Sequence, residues 1–381
     1  MVHVGIVAGE ASGDQLGAAL IDALRLQCPG IRITGMAGPK MLATGCEPVA
    51  SIDELSVMGV VEVVRRYPEL RRLRDRVLRF YLDDRPDVFV GIDVPDFVTG
   101  IESRLYSKNI KTVHYVAPQI WAWRKSRAKT LSERLDRLLV LFPFEEYFFR
   151  CYGVDTRFVG HPVADQIPLA RDVVSARRKL GLESTRPYVA LMPGSRVQEW
   201  KRHVDVFLSA ANLVAKRNKE TAFVAGAIDG DAETYFLKRA ASVSPGIELT
   251  VRRGRSHDVL GASNAAIVAS GTITMEGVFT KTPLVVGYRL APMSYFLMKR
   301  LVTVRHIAMP NVLASQEIVP EFVQSAMTAD ALAGATIEWL ENEDKVRKYE
   351  AHCSEAHHTL RRDAATQAAE AVLGLVQHKV L

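Results

Sequence analysis

The 381-residue chain has little cysteine: Cys28, Cys46, Cys151 and Cys353 are all it contains. They lie far apart, and no CxxC pair or zinc-type Cys/His spacing occurs, which excludes a disulfide scaffold and a structural zinc module. Such cysteines read as small buried apolar residues in a reducing compartment. Also missing is any apolar run approaching the roughly 18 residues that span a bilayer. No basic segment followed by an apolar one precedes the strand-like "VHVGIVA", so no secretory signal is expected. The chain therefore reads as cytosolic, or as lying on a membrane without crossing it. No GxxxxGK[ST] occurs, and "AGEASGD" lacks the GxGxxG order, so neither a P-loop nor a nicotinamide site is supported. Repeats and low-complexity tracts are absent too.

What is present is a basic balance, 49 Lys and Arg against 43 Asp and Glu. That favours a polyanionic partner: nucleic acid, an acidic membrane surface or a phosphorylated substrate. The length predicts two domains. Short β-branched runs ("VHVGIVA", "IRITGMAG", "DVFVGID", "KTVHYVA", "RLLVLFP") alternate with longer amphipathic ones, which is the pattern of an α/β fold with a parallel sheet. Around "FVGHPVADQIPLARD" the periodicity is lost at two prolines, predicting a linker. The alternation restarts with "YVALMPG", "TAFVAGA", "IELTVRR", "AAIVASG" and "PLVVGYR". The expectation is two doubly wound parallel-sheet, Rossmann-like domains joined near residue 165 and facing a central cleft. Ligands in such sheets sit beyond the carboxyl ends of the strands.

The loops after strands are therefore the candidate chemistry. In "LMPGSRVQEWKRH", Gly194 turns the backbone, Ser195 is placed to cap the next helix, and Arg196 adds a planar fork suited to phosphate. In "VASGTITMEG", Ser270, Gly271 and Thr272 make a second N–H-rich turn, and Glu276 is placed to accept from ribose hydroxyls. Two such turns would hold a diphosphate with no metal and no cofactor. Glu10, Ser12 and Asp14 of "AGEASGD" either touch a sugar or cap the next helix. In "GIDVPDF", Asp93 ends an apolar strand; a carboxylate there is either a proton acceptor or part of a solvated turn, and Asp96 is expected as a helix N-cap. Trp121 in "APQIWAWR" is either a platform for a ring or a core anchor. Asn311 in "MPNVLA" is a candidate base or phosphate donor.

The stretch "MGVVEVVRRYPELRRLRDRVLRFY" is unusual in composition. From Pro68 on, Leu70, Leu73, Val77 and Phe80 share one helical face, opposite Arg72, Arg76 and Arg79. Val60, Val61, Val63 and Val64 precede them with little polar cover. A basic amphipathic helix beside an apolar tip fits an anionic membrane surface; the alternative is that its apolar face packs on the sheet. Nucleic acid is not expected, because aromatics are not interleaved with the arginines.

Taken in order, "VAGEASGDQLGAALI", "MGVVEVV", "DVFVGIDVPDF", "HYVAPQIWAWR", "FVGHPVAD", "LMPGSR", "ASGTITME", "VVGYR" and "MPNVLA" resemble the lipid A disaccharide synthase family over nearly the whole chain. The resemblance implies a GT-B glycosyltransferase, peripheral on the inner face of the Gram-negative inner membrane. It implies transfer of diacylglucosamine from UDP-2,3-diacylglucosamine to the 6-hydroxyl of 2,3-diacylglucosamine 1-phosphate (lipid X), giving a β-1,6 disaccharide and UDP. By position in the motifs, it makes Asp93 the general base, Arg196 the arginine near the diphosphate, and Glu276 and Asn311 UDP contacts. Glu10 and Ser12 fall on the family's first loop. The implied domains are 1–165 on the acceptor and lipid side and 166–344 binding the UDP-sugar. Residues 345–381 would pack back on the first domain, in a homodimer by exchange of C-terminal segments. An isomerase of the UDP-N-acetylglucosamine 2-epimerase kind is the alternative on the same fold.

Overall fold

The computed structural model describes residues 1–55, 60–123, 127–292, 295–296 and 304–377, with the backbone alone at 60–65 and 377. The chain forms two compact units, Met1–Asp165 with Leu360–Leu381, and Gln166–Thr359.

The first unit runs β1 (His3–Ala8), α1 (Ala11–Gln27), β2 (Arg32–Ala37), α2 (Pro39–Ala43), β3 (Glu47–Ser51), α3 (Val60–Asp83), β4 (Val88–Ile92), α4 (Pro95–Tyr106), β5 (Lys111–Tyr115), α5 (Arg127–Ser132), β6 (Arg137–Val140), α6 (Pro143–Arg150), β7 (Thr156–Phe158) and α7 (Pro162–Gln166). Among the described residues its sheet has the order β3-β2-β1-β4-β5-β6-β7, parallel throughout. Successive side chains of a strand face opposite sides. So Val88, Val90 and Ile92 meet Leu20, Leu24 and Val372 on one face, while Phe89 meets Val77, Tyr81 and Val98 on the other.

The second unit continues with α8 (Val173–Leu180), β8 (Tyr188–Met192), α9 (Val197–Arg217), β9 (Ala222–Ala227), α10 (Gly230–Val243), β10 (Leu249–Arg253), α11 (Ser256–Ala262), β11 (Ala265–Val268), α12 (Thr272–Thr280), β12 (Leu284–Tyr288), α13 (Met309–Ala314), β13 (Glu321–Val323), α14 (Ala329–Glu341) and α15 (Glu343–Leu360). Its sheet order is β10-β9-β8-β11-β12-β13, again parallel. In both sheets the winding order thus reverses once, between β1 and β4 and between β8 and β11, which are the switch points where such folds bind ligands.

Residues 345–381 do not act as one piece. The α15 helix belongs to the second unit: its Tyr349 ring lies against Trp339 at 5.4 Å, His357 against Phe279 at 5.0 Å, and Glu350 pairs with Arg171 at 2.9 Å. Only the last helix, α16 (Ala364–Gln377), returns to the first unit. Its small residues Ala368 and Ala369 are buried in the core shared with α1, where small side chains let two helices approach. Asp165 caps it by accepting from Asp363 N at 2.9 Å and Ala364 N at 2.7 Å.

The basic amphipathic segment uses its apolar face for the core. Leu73, Val77 and Tyr81 of α3 are buried on the first sheet, with Leu70 and Phe80 packed beside them, so from Pro68 onward the face expected at a membrane is covered by protein. The helix passes through Pro68 rather than starting there. Arg72 and Arg76 are exposed, and Arg76 pairs with Glu54 at 2.7 Å. The side chains of Val60, Val61, Val63 and Val64 lie outside the described residues, as does Met58.

Candidate active site

At the first switch point β1 and β4 end side by side. Glu10 is the N-cap residue of α1 and Ser12 sits in its first turn, both exposed. Asp14 is not a sugar contact: it is 3% exposed, and its carboxylate accepts from Gly38 N at 2.9 Å, Lys40 N at 2.9 Å and Met41 N at 3.1 Å, so it anchors the start of α2. Beyond β4 the backbone is unusual. Asp93 and Val94 have φ of +54° and +43°, and Val116 after the neighbouring β5 has +79°. For a β-branched residue this region costs about 1–3 kcal/mol and persists where surroundings over-determine it, as at ligand sites. Here Asp93 N donates to Tyr115 O at 2.9 Å. The turn leaves the Asp93 side chain half-buried at the sheet's carboxyl edge. Pro95 then takes the first helical position of α4, where its missing N–H costs nothing. That places Asp96 within the first turn and corrects its expected N-cap role.

At the second switch point the turn after β8 has Gly194 at φ +113°, a conformation that other residues rarely adopt. Ser195 is exposed but precedes the cap position, which Arg196 fills; the expected capping by Ser195 is therefore corrected. The Arg196 guanidinium is 77% exposed and meets Glu199 at 3.0 Å. His203 supports the turn from below. Arg289 N donates to its Nε2 at 3.0 Å, so the proton sits on Nδ1 and is donated to Pro193 O at 2.7 Å. Burial pushes His203 below its ordinary range, in keeping with this neutral form. The turn after β11 brings Ser270, Gly271 and Thr272 to the start of α12, with Gly271 and Thr272 exposed. Glu276 lies a turn further along, its carboxylate 17% exposed and 3.3 Å from His257 Nε2.

Two expected contacts resolve differently. Asn311 is 0% exposed. Its amide donates to Val319 O at 2.8 Å and Glu321 Oε1 at 2.7 Å, and its oxygen accepts from Ile318 N at 2.7 Å and Val319 N at 2.9 Å. With donors and acceptor engaged it is a structural brace, not a ligand donor. Glu321, which sequence reasoning missed, carries the brace onward by accepting from Ile307 N and Ala308 N, and Ile307 O in turn accepts from Ser270 Oγ at 3.1 Å. Trp121 is 8% exposed; its Nε1 donates to Glu145 at 3.1 Å and its ring meets Phe144 edge-on at 5.0 Å. It anchors the core rather than offering a platform.

That anchor carries its own chemistry. Burial raises Glu145 to about 7, against the hydrogen bonds from Trp121 and Phe142. Nearby, burial lowers His161 to about 4; its ring lies 5.5 Å from Phe142. For Glu145 the folded value exceeds the unfolded one, so its contribution to stability is full below pH 4.5 and is lost as pH rises through about 7. Glu145→Gln should therefore make the first unit more stable than wild type above pH 7, by about 3 kcal/mol, with the advantage vanishing near pH 4.5. Urea titrations across this range measure it; an advantage independent of pH would exclude the buried carboxyl as its source.

Two parallel α/β units in one chain, each with N–H-rich or carboxylate-bearing turns at its own switch point, define a protein of the GT-B class. The glycotransferase of kitacinnamycin shares the fold with a TM-score of 0.65 at 16% identity, over 98% of this chain and 99% of that one. A UDP-GlcNAc 2-epimerase from Neisseria meningitidis, solved bound to UDP-GlcNAc, shares it at 0.63 and 10% identity, over 99% of this chain and all of that one. At these identities the likeness is one of fold. The family model for lipid-A-disaccharide synthetase matches residues 4–374. Lipid-A-disaccharide synthases from Alkalilimnicola ehrlichii and Pseudomonas aeruginosa are 44% and 43% identical, covering 98% and 99% of both chains. The chain belongs to the lipid-A-disaccharide synthase family.

Proposed function

We propose that the chain is a hexosyltransferase that joins UDP-2,3-diacylglucosamine to 2,3-diacylglucosamine 1-phosphate. The observation that carries this is end-to-end relatedness to lipid-A-disaccharide synthases. In this reading Asp93, at the first switch point, takes the proton of the acceptor 6-hydroxyl as its oxygen attacks the anomeric carbon. The bond to UDP breaks on the opposite side, and the electron pair leaves with the diphosphate. Arg196 and the N–H groups of the Ser195 and Ser270–Thr272 turns stabilise that charge, and Glu276 accepts from the ribose. Glu10 and Ser12 serve the acceptor sugar. Asn311 acts only through the segment it braces.

The acyl chains remain in an anionic inner-membrane leaflet, contacted by the 60–64 segment and by Arg72; no helix among the described residues is long and apolar enough to cross a membrane. Two copies associate by exchanging C-terminal segments. The test is incubation of the purified chain with both diacylated sugars, reading disaccharide 1-phosphate and UDP by mass. Neither product appearing, with soluble UDP-N-acetylglucosamine epimerised instead, would reverse the assignment to the epimerase alternative.

A further inference from the structure

Behind Asp93 lies a buried, ionisable pair that the reaction above does not use. His114 on β5 stands in register with Gly91 on β4. Since Val113 and Tyr115 face α1 and α16, His114 and Gly91 face α4. The His114 Nδ1–H donates to Glu102 Oε1 of α4 at 2.8 Å, and the two side chains are 0% and 1% exposed. Gly91 makes the room: a methyl group there would overlap both Val98 and the Glu102 carboxylate. Among the described residues, neither His114 Nε2 nor Glu102 Oε2 has a hydrogen-bond partner. Taking two ionisable groups fully out of water is costly, and a well-packed apolar pair would serve the core as well. The pair also sits at a telling place, because Asp93 follows Gly91 by two residues and bonds through its N–H to Tyr115, the residue after His114.

The geometry points to His114, fixed by Glu102, as the positioning residue for Asp93: a buried His–Glu pair set directly behind the turn that carries the Asp93 carboxylate. This rests on the reading of Asp93 as the base. Burial alone lowers His114, but the charge and hydrogen bond of Glu102 outweigh it, and the Asp93 charge and the Val116 backbone, too poorly placed for a full hydrogen bond to Nε2, add to them, so the net direction is upward. The charged groups facing the imidazole are Glu102 from α4 and Asp93 from the end of β4; β6 presents Leu138 beside it in register. Glu102 fixes the ring and its Nδ1 proton.

The test uses the full chain with ¹⁵N-histidine. At pH 7 the wild-type His114 signals should be those of an imidazolium, and in Glu102→Gln those of a neutral ring. Glu102→Gln should lower kcat roughly 10- to 100-fold, a partial loss of the roughly 10²–10⁴ that a positioned general base contributes, and displace the acidic limb of the kcat/KM profile. UDP affinity, read by calorimetry, should stay within about twofold, and Glu102→Asp should restore most of the rate. A neutral His114 in the wild type, or a Glu102→Gln profile that overlays the wild type, overturns the proposal. If Glu102→Gln does not fold, the wild-type spectrum alone decides. Asp93→Asn separates the two readings: retained turnover there rejects Asp93 as base, whereas lost turnover with an unmoved Glu102→Gln profile rejects only the role of His114.

Discussion

Asp93→Asn should reduce turnover at least about 1,000-fold while leaving UDP affinity near wild type. An amide keeps the shape and one acceptor but cannot take the hydroxyl proton, and a positioned general base contributes about 10²–10⁴ in rate. The backbone offers no easy substitute. Asp93 and Val94 are both held in the left-handed region, and Asp93 N is tied to Tyr115 O, so a neighbouring side chain cannot swing into the same place. Half-buried at the sheet edge, residue 93 can lose its charge without a gap opening in the core, so the fold should persist. Steady-state release of UDP and calorimetric UDP binding together measure the split. Near-normal turnover would remove Asp93 from the reaction.

The second large effect is expected at Arg196. Arg196→Ala should lower kcat/KM about 100- to 1,000-fold, the range found when one donor to a developing negative charge is lost. Arg196→Lys should recover little of it, because an ammonium cannot reproduce the planar two-pronged contact with a diphosphate. The side chain is 77% exposed and its ion pair with Glu199 spans one helical turn at the surface. The Glu199 carboxylate is only 14% exposed, so the pair is worth more than a fully solvated one, but the exposed guanidinium can still turn to a diphosphate, and the melting transition should fall only slightly in Arg196→Ala. Equal UDP affinity in Arg196→Ala and wild type, with equal rates, would show that the diphosphate is held elsewhere.

The sheets were legible where their strands are central. Strands buried on both faces read as apolar, β-branched-rich runs, and β1, β2, β4 to β6, β8, β9, β11 and β12 do so; β10, an edge strand that is mostly half-exposed, was legible as well through its alternating pattern. The three unforeseen strands, β3, β7 and β13, lie at sheet edges. They are short and partly exposed, and β3 contains Pro48, which an edge tolerates and a central strand does not. Four of the candidate loops followed from this reading, since ligands in parallel sheets sit beyond the carboxyl ends of the strands. What stayed hidden depends on partners distant in sequence. The helical pattern of α3 shows that one face is covered, without saying whether by protein or by lipid. Asn311 at a proline turn looks like a free donor until Val319 and Glu321 are seen to occupy it. Trp121 finds Glu145 twenty-four residues on, and no local rule places His114 against Glu102, which comes from the preceding helix.

The return of α16 to the first unit also bears on how the protein is made. During synthesis the first 165 residues emerge with their whole sheet, yet the face bearing Val90, on which Leu20, Ile21 and Leu24 of α1 pack, completes its covering only with Ala368, Val372 and Val376. An N-terminal domain normally folds as soon as it leaves the ribosome. Here its last structural piece is translated last, so the nascent chain carries an open greasy flank throughout the elongation of the second unit, and a stop codon only a few dozen residues early would leave that flank bare for good.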